Sequence, residues 1–273
     1  MLQPSAIPQM LLQLQQTELQ QALPYLEQGL FGLEVVGFAA PQVLDGDWEE
    51  KLRDLEPLCR RLPGPISMHG PFLDLSPASP EPRLRALTRE RYRHALQIAK
   101  ALGARYLVLH TQFNPNLRQP TYPTLWLEQN LQFFSDLLPS ILDAGTTVVL
   151  ENMWDPHPDH LAKLLAALPK EQFAACLDAG HAHLHSQAGY RAWVEALGER
   201  LQYIHLSDNH GDWDEHLALG QGTVDFHGLT EAVRATERQP WYVFEVKLWS
   251  DVQASLRHLG WDEALREVQS DGQ

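Results

Sequence analysis

Apolar positions along the chain follow two periods. Short unbroken apolar and β-branched runs, of which Thr146-Thr147-Val148-Val149-Leu150 is the clearest, alternate with longer stretches where apolar residues recur at helical spacing. The first kind suits strands buried on both faces of a parallel sheet, and the second suits helices that cover them. The pattern predicts strands over residues 2–7, 31–37, 66–69, 105–110, 146–151, 173–178, 201–206 and 241–245. It predicts helices over 8–28, 47–62, 82–102, 124–144, 157–168, 187–197, 227–236 and 251–268, with Gly29, Gly103 and Gly145 as stop signals. Eight strands alternating with eight helices imply a closed (β/α)8 TIM barrel, one α/β domain over residues 1–273. An open doubly wound sheet is the alternative, but no glycine-rich phosphate fingerprint follows an early strand.

Composition narrows the class. Lys and Arg number 21 against 35 Asp and Glu, a formal charge of −14. That balance argues against a surface built to grip nucleic-acid phosphates. Cys59 and Cys176 are too few for a disulfide framework or a thiolate metal site, which points to a reducing compartment. The N-terminus lacks the basic start and apolar core of a signal peptide, and no apolar run reaches membrane-spanning length. A cytoplasmic location is the expectation; oligomeric state leaves no trace in the sequence.

The chemistry gathers where the expected strands end. In this fold the C-terminal strand ends and the loops after them share one face. That face receives Glu34, His69, His110, Glu151, Asp178 with His181, His205 with Asp214 and His216, and Glu245. A single histidine is commonly a hydrogen-bonded structural residue, but five of the thirteen histidines fall on this one face, here with carboxylates beside them. The stretch from Tyr203 to Phe226 is densest, with Asp208, His210, Asp212, Asp214, Glu215 and His216 on one loop. Asp178-Ala179-Gly180-His181 forms a second local cluster. Arg118 and Lys247 are candidates to hold a phosphate, and Trp154, Trp213 and Trp249 to rim a pocket for a sugar or base. Glu34, Asn152, His183, His185, Asp208 and His210 are candidates to orient ligands.

The motifs S-M-H-G-P-F, L-V-L-H, V-V-L-E-N, L-D-A-G-H, I-H-L-S-D-N, D-E-H-L-A-L-G-Q-G and F-E-V resemble those of the xylose isomerase-like TIM-barrel superfamily, over nearly the whole chain. That superfamily includes endonuclease IV and many sugar and sugar-phosphate isomerases and epimerases. The single-metal set of the isomerase branch matches Glu151, Asp178, His205 and Glu245. The five further ligands of endonuclease IV match His69, His110, His181, Asp214 and His216. The resemblance therefore implies up to three divalent ions, zinc first and manganese as the alternative. One would sit on His69, His110 and Glu151, a second on Glu151, Asp178, His205 and Glu245, and a third on His181, Asp214 and His216. The loops after His69, His110 and Asp178 depart from the endonuclease, and D-A-G-H and H-L-S-D-N are closer in style to the isomerases.

Two activities follow as expectations. The extra ligands put first a multinuclear hydrolase of a small phosphate ester or phosphodiester, with Glu151 and Glu245 holding metals and orienting the nucleophile. The alternative is a sugar or sugar-phosphate isomerase or epimerase, with one ion and the same two glutamates exchanging protons. Either way the partner is a small molecule, phosphorylated or a sugar, and neither nucleic acid nor membrane.

Overall fold

Residues in each strand alternate between two environments, and that alternation builds the barrel. The computed structural model describes residues 9–263 and 265. Its strands are β1 (Met10–Gln13), β2 (Gly32–Val35), β3 (Ile66–His69), β4 (Tyr106–His110), β5 (Thr147–Glu151), β6 (Phe173–Asp178), β7 (Leu201–Leu206) and β8 (Trp241–Glu245). All pair in parallel in chain order, and β1 closes the ring against β8. The helices are α1 (Gln16–Glu27), α2 (Pro41–Leu44), α3 (Trp48–Arg61), α4 (Pro82–Leu102), α5 (Tyr122–Ala144), α6 (Asp159–Ala167), α7 (Ala179–His185), α8 (Tyr190–Leu197), α9 (Phe226–Arg234) and α10 (Trp249–Leu259). This is the expected single-domain (β/α)8 barrel.

Local chemistry explains the helix limits. Pro82 opens α4 where no N–H is needed, and the Glu81 side chain accepts the N–H of Arg83. Gly103 and Gly145 end α4 and α5 in the left-handed region, at φ of 70° and 65°. Between strands and helices lies one apolar core that includes Leu33, Leu107, Leu109, Val148, Leu150, Leu177 and Ile204. Leu11, Tyr106, Val108, Val149, Ala174, Cys176, Tyr203 and Val243 have the other parity and form a second cluster, inside the ring. Two residues further along the same parity come Gln13, His110, Glu151, Asp178 and Glu245, each the last residue of its strand, and His205, the last but one of β7. Glu34 and His69 complete the set from β2 and β3.

Some elements differ from the sequence reading. The strand expected over 2–7 lies outside the described residues, and β1 falls within the helix expected over 8–28, which begins only at Gln16. Met10, Leu11 and Leu14 have helical spacing, but closing the ring demands a strand there, and tertiary pairing with β2 and β8 overrides the local pattern. The short helices α2 and α7 were not expected. In α7 the Asp178 carboxylate accepts the N–H of His181 at 2.6 Å, so the expected turn is a capped helix. Helix α10 stops at Gly260, at φ of 68°, short of the expected 268; residues 264 and 266–273 lie outside the described residues.

Candidate metal centre

The polar strand ends meet at the C-terminal mouth of the barrel. Glu151 lies at the centre: its Oε2 is 3.4 Å from both His69 Nε2 and His110 Nε2, and its Oε1 is 3.2 Å from His181 Nδ1 and 3.4 Å from His205 Nδ1. His205 Nδ1 is also 3.0 Å from Glu245 Oε2 and 3.7 Å from Asp178 Oδ2. On the outer side Asp214 Oδ2 lies 3.4 Å from His181 Nε2 and 3.2 Å from His216 Nε2. All nine residues expected to ligate thus lie in one contiguous network. Two sets of candidate ligand atoms, His69–His110–Glu151 and Glu151–Asp178–His205–Glu245, each close to within 4.8 Å, while His181, Asp214 and His216 make a looser group.

The imidazoles are oriented for ligation. The Nδ1–H groups of His69, His181 and His216 donate to the carbonyls of Gly70, Asn152 and Glu245, at 2.9, 3.0 and 3.0 Å, so Nε2 is the atom each ring turns to the cluster, toward His110 for His69 and toward Asp214 for the other two. His205 has the reverse arrangement. Its Nε2 faces Glu34 Oε1 at 3.2 Å, so Nδ1 is the free atom. Glu34 is itself fixed by Gln13 at 2.8 Å and by the Tyr203 hydroxyl at 2.6 Å, and Gln13 also donates to Glu245 at 3.1 Å. Glu34 is among the candidate orienting residues; Gln13, Tyr203 and Ser67, whose hydroxyl lies 3.5 Å from Glu34 Oε2, are not. The misplaced first strand hid Gln13, for which the run Met10-Leu11-Leu12 was the available signal.

Charge in the cluster is balanced by protons. Burial opposes ionisation of Glu151, but His110 and His205 hold its carboxyl well below the usual range. Against the same burial cost, His205 holds Glu245 down to about 2. Burial, reinforced by Glu151 and Glu245 and opposed by His181, pushes Asp178 up to about 7. Burial disfavours the charged form of His205, yet Glu34, Glu245 and Glu151 raise it well above the ordinary imidazole value. Asp214 and Glu245 likewise overcome burial to raise His216 to about 9.

The donor set fits a divalent cation. Glu151 Oε2, Asp178 Oδ2, His205 Nδ1 and Glu245 Oε2 are buried and make no hydrogen bond. Glu151 Oε2 faces His69 and His110, while the other three lie together, His205 Nδ1 within 3.0 Å of Glu245 Oε2 and 3.7 Å of Asp178 Oδ2, so a cation among them would satisfy acceptors that the protein alone leaves without hydrogen bonds. Cys176, set aside in the sequence reading, places its thiol within 4.8 Å of ligand atoms of Glu151 and His205, one layer deeper in the barrel.

Other candidates have structural tasks. Asp208 is fully buried and accepts the N–H groups of Asn209, Gly220, Gly222 and Val224 at 2.8–3.0 Å, which fixes the loop carrying Asp214 and His216. A Cβ on Gly222 would meet the Asn209 carbonyl at 2.3 Å, so only glycine fits. His210 pairs with Glu215 at 2.8 Å on the surface, and His183 bonds Thr223 at 2.9 Å. Asn152 receives the N–H of Asp178 and donates to its carbonyl, at 2.8 and 3.0 Å. His185, exposed on α7, shows no such tie to the cluster; partial desolvation lowers its basicity, as does His181.

Trp154 lines a cavity that touches His110, and Trp213 stands exposed at the tip of the β7–α9 loop. Trp249, expected at the rim, is instead buried against Tyr25, with ring centroids 4.8 Å apart. Arg118 is exposed beside the same cavity without lining it, and Lys247 donates to the Glu215 carbonyl at 2.8 Å. Asp155, not singled out before, accepts from the Thr111 hydroxyl at 2.6 Å and the Met153 N–H at 3.0 Å, tying the loops after β4 and β5 together.

Comparison with known proteins agrees with this architecture. A family model described as xylose isomerase-like TIM barrel matches residues 27–266. An uncharacterised protein of Methanocaldococcus jannaschii is 30% identical over 176 residues, 62% of this chain and 60% of its own, so the match spans less than two thirds of that relative. Among solved structures, a D-tagatose 3-epimerase-like protein is 28% identical, with TM-score 0.71 and coverage of 89% of this chain and 91% of the other. A Thermus thermophilus protein soaked with zinc chloride is 29% identical, with TM-score 0.71 and coverage of 97% and 98%. Among the described residues no helix is long and apolar enough to cross a membrane.

Proposed function

The chain belongs to the xylose isomerase-like TIM-barrel family, and from that premise we propose that it is a metal-dependent sugar isomerase or epimerase. The observation that carries this reading is the grouping of Glu151, Asp178, His205 and Glu245, whose candidate ligand atoms lie within 4.8 Å of one another, with Asp178 Oδ2, His205 Nδ1 and Glu245 Oε2 buried and without hydrogen bonds. The likeness to a D-tagatose 3-epimerase-like structure supports it over the phosphate-ester hydrolysis that the sequence put first. A divalent ion held by those four residues, zinc or manganese by their donor types, would supply the positive charge that draws electrons from a carbonyl and its neighbouring hydroxyl.

The protein's own groups move the proton. Glu151 and Glu245 stand on β5 and β8, three strands apart round the ring, so their carboxylates approach a bound sugar from different sides. Neighbouring imidazoles keep both ionised, the state a proton acceptor needs. One carboxylate takes the proton from the carbon beside the carbonyl, and the C–H electron pair enters the new C=C bond of an enediol(ate). The other carboxylate, once it has taken up a proton from solvent or a substrate hydroxyl, delivers it to the opposite face, inverting that carbon, or to the adjacent carbon, shifting the carbonyl, as the C=C electron pair forms the new C–H bond. His69 and His110 stand beside Glu151, within reach of substrate hydroxyls.

The test is proton exchange with solvent. Incubated in D2O with manganese or zinc and a panel of ketoses and aldoses, the protein incorporates one deuterium at the carbon beside the carbonyl of its substrate. Glu151→Gln and Glu245→Gln each lower that rate by about 10²–10⁴-fold. Absence of exchange in every sugar, with hydrolysis of a phosphate ester instead, would overturn the reading. The closure of His69, His110 and Glu151 into a second group favours that hydrolase as the other reading, for which about three ions per chain would be counted.

A further inference from the structure

Beside the cluster lies a cavity of about 510 Å3 with different chemistry. His110 forms part of its wall, and the rest comes mainly from the segments that follow β3, β4 and β5. Phe72 stacks on His110 with ring centroids 4.8 Å apart, so an apolar wall begins where the candidate ligands end. Leu73, Leu117 and Trp154 border the same concavity with 50%, 49% and 38% of their surface exposed. A single exposed leucine needs no explanation, but three large apolar side chains around one hollow mark a ligand surface.

The charge of the cavity excludes an anionic ligand. No lysine or arginine lines it, and Asp74 is its one carboxylate. A phosphoryl group placed there would face that carboxylate with no cation in the wall to receive it, Arg118 standing outside the lining. The wall is also held in a definite shape. Asp74 and Gln112 adopt φ of 55° and 54°, a conformation that residues with side chains avoid, and the Gln112 amide donates to the Phe72 carbonyl at 3.0 Å. The volume falls within the roughly 300–1,000 Å3 of pockets for drug-sized ligands, leaving room beyond a sugar for a further ring.

We propose that the substrate is an unphosphorylated sugar that carries, at a carbon remote from its carbonyl, an aryl or alkyl substituent seated in this cavity. The sugar end of this assignment rests on the isomerase or epimerase reading, and the apolar end rests on the cavity itself.

The test is equilibrium binding, by calorimetry on the full chain, of the four D-ketohexoses, their 6-O-benzyl ethers and their 6-phosphates. For at least one sugar the benzyl ether binds about tenfold tighter than the parent, and the phosphate binds no tighter than the parent. Leu73→Gln and Leu117→Gln remove most of the benzyl advantage and leave parent-sugar affinity unchanged. No benzyl advantage in any sugar, an advantage that survives both variants, or tighter binding of the phosphates would overturn the proposal. Because binding needs no turnover, a benzyl advantage without deuterium exchange sinks the isomerase reading and upholds the cavity assignment. Exchange without a benzyl advantage does the reverse.

Discussion

Replacing Glu34 by glutamine tests how the site is organised, because the change removes a charge while keeping the shape. Glu34 Oε1 accepts from Gln13 at 2.8 Å and faces His205 Nε2 at 3.2 Å, while Oε2 accepts from the Tyr203 hydroxyl at 2.6 Å. A glutamine would turn its NH2 toward Tyr203 and Ser67, whose hydroxyls can rotate to accept, and keep its oxygen toward Gln13 and His205. No donor is then left facing a donor, so the barrel is expected to fold as before. What is lost is the charge-assisted character of the bond to His205 Nε2–H, and charged hydrogen bonds are about twice as strong as neutral ones. Partners of this kind typically contribute about 10–100-fold to metal affinity, equivalent to about 1.4–2.7 kcal/mol. Competition for zinc against a chelator of known affinity measures the change, with circular dichroism as the control for folding. Unchanged affinity in a folded Glu34→Gln chain would refute the claim that Glu34 holds the His205 ring for ligation.

Protons should leave when metal enters. Asp178, pushed up to about 7, and His205, raised above the ordinary 6.5, must both be unprotonated to ligate, so affinity falls as pH drops below 7, about tenfold per unit for each proton displaced. Calorimetry in buffers of different ionisation heat counts the protons, and a count of zero would sink the charge-balance argument. The metal-free chain carries the same sign. Asp178 ordinarily titrates at 3.8 and His216, raised to about 9, at 6.5, so the folded state holds protons that the unfolded state has lost. Stability from His216 is complete below 6.5 and lost as pH rises through 9, and Asp178 makes the fold less stable as pH rises from 3.8 to 7. A melting temperature in chelator that rises between pH 6.5 and 8 would contradict this. Asp208→Asn replaces an acceptor of four N–H groups by one that can serve about half of them, at about 1.5–3 kcal/mol per lost bond. The expected outcome is proteolysis within residues 208–222 while the barrel stays intact; equal resistance to protease would count against it.

The (β/α)8 order follows from the sequence alone, because each buried strand must be an unbroken apolar run and each covering helix must repeat at its own period. The ligand-type residues are equally legible, since strand periodicity places the last residue of each run on the barrel's active face. Chemical type could not say which carboxylates face the centre. Asp208 and Asp214 share one acidic loop, yet Asp208 turns inward to bind backbone N–H groups while Asp214 meets His181 and His216. That choice depends on how the loop closes over Gly220 and Gly222, a long-range condition with no local signature. Gln13 was likewise ambiguous, because the short apolar run Met10-Leu11-Leu12 before it fits helix and strand alike until β8 and β2 claim it. The apolar cavity beside His110 is assembled mainly from three loops distant in sequence, whose leucines look like ordinary surface residues one at a time. Composition and periodicity thus determined the barrel and its chemistry, and only the folded chain decided which side chains face the centre, because facing is set by contacts between segments far apart in the sequence.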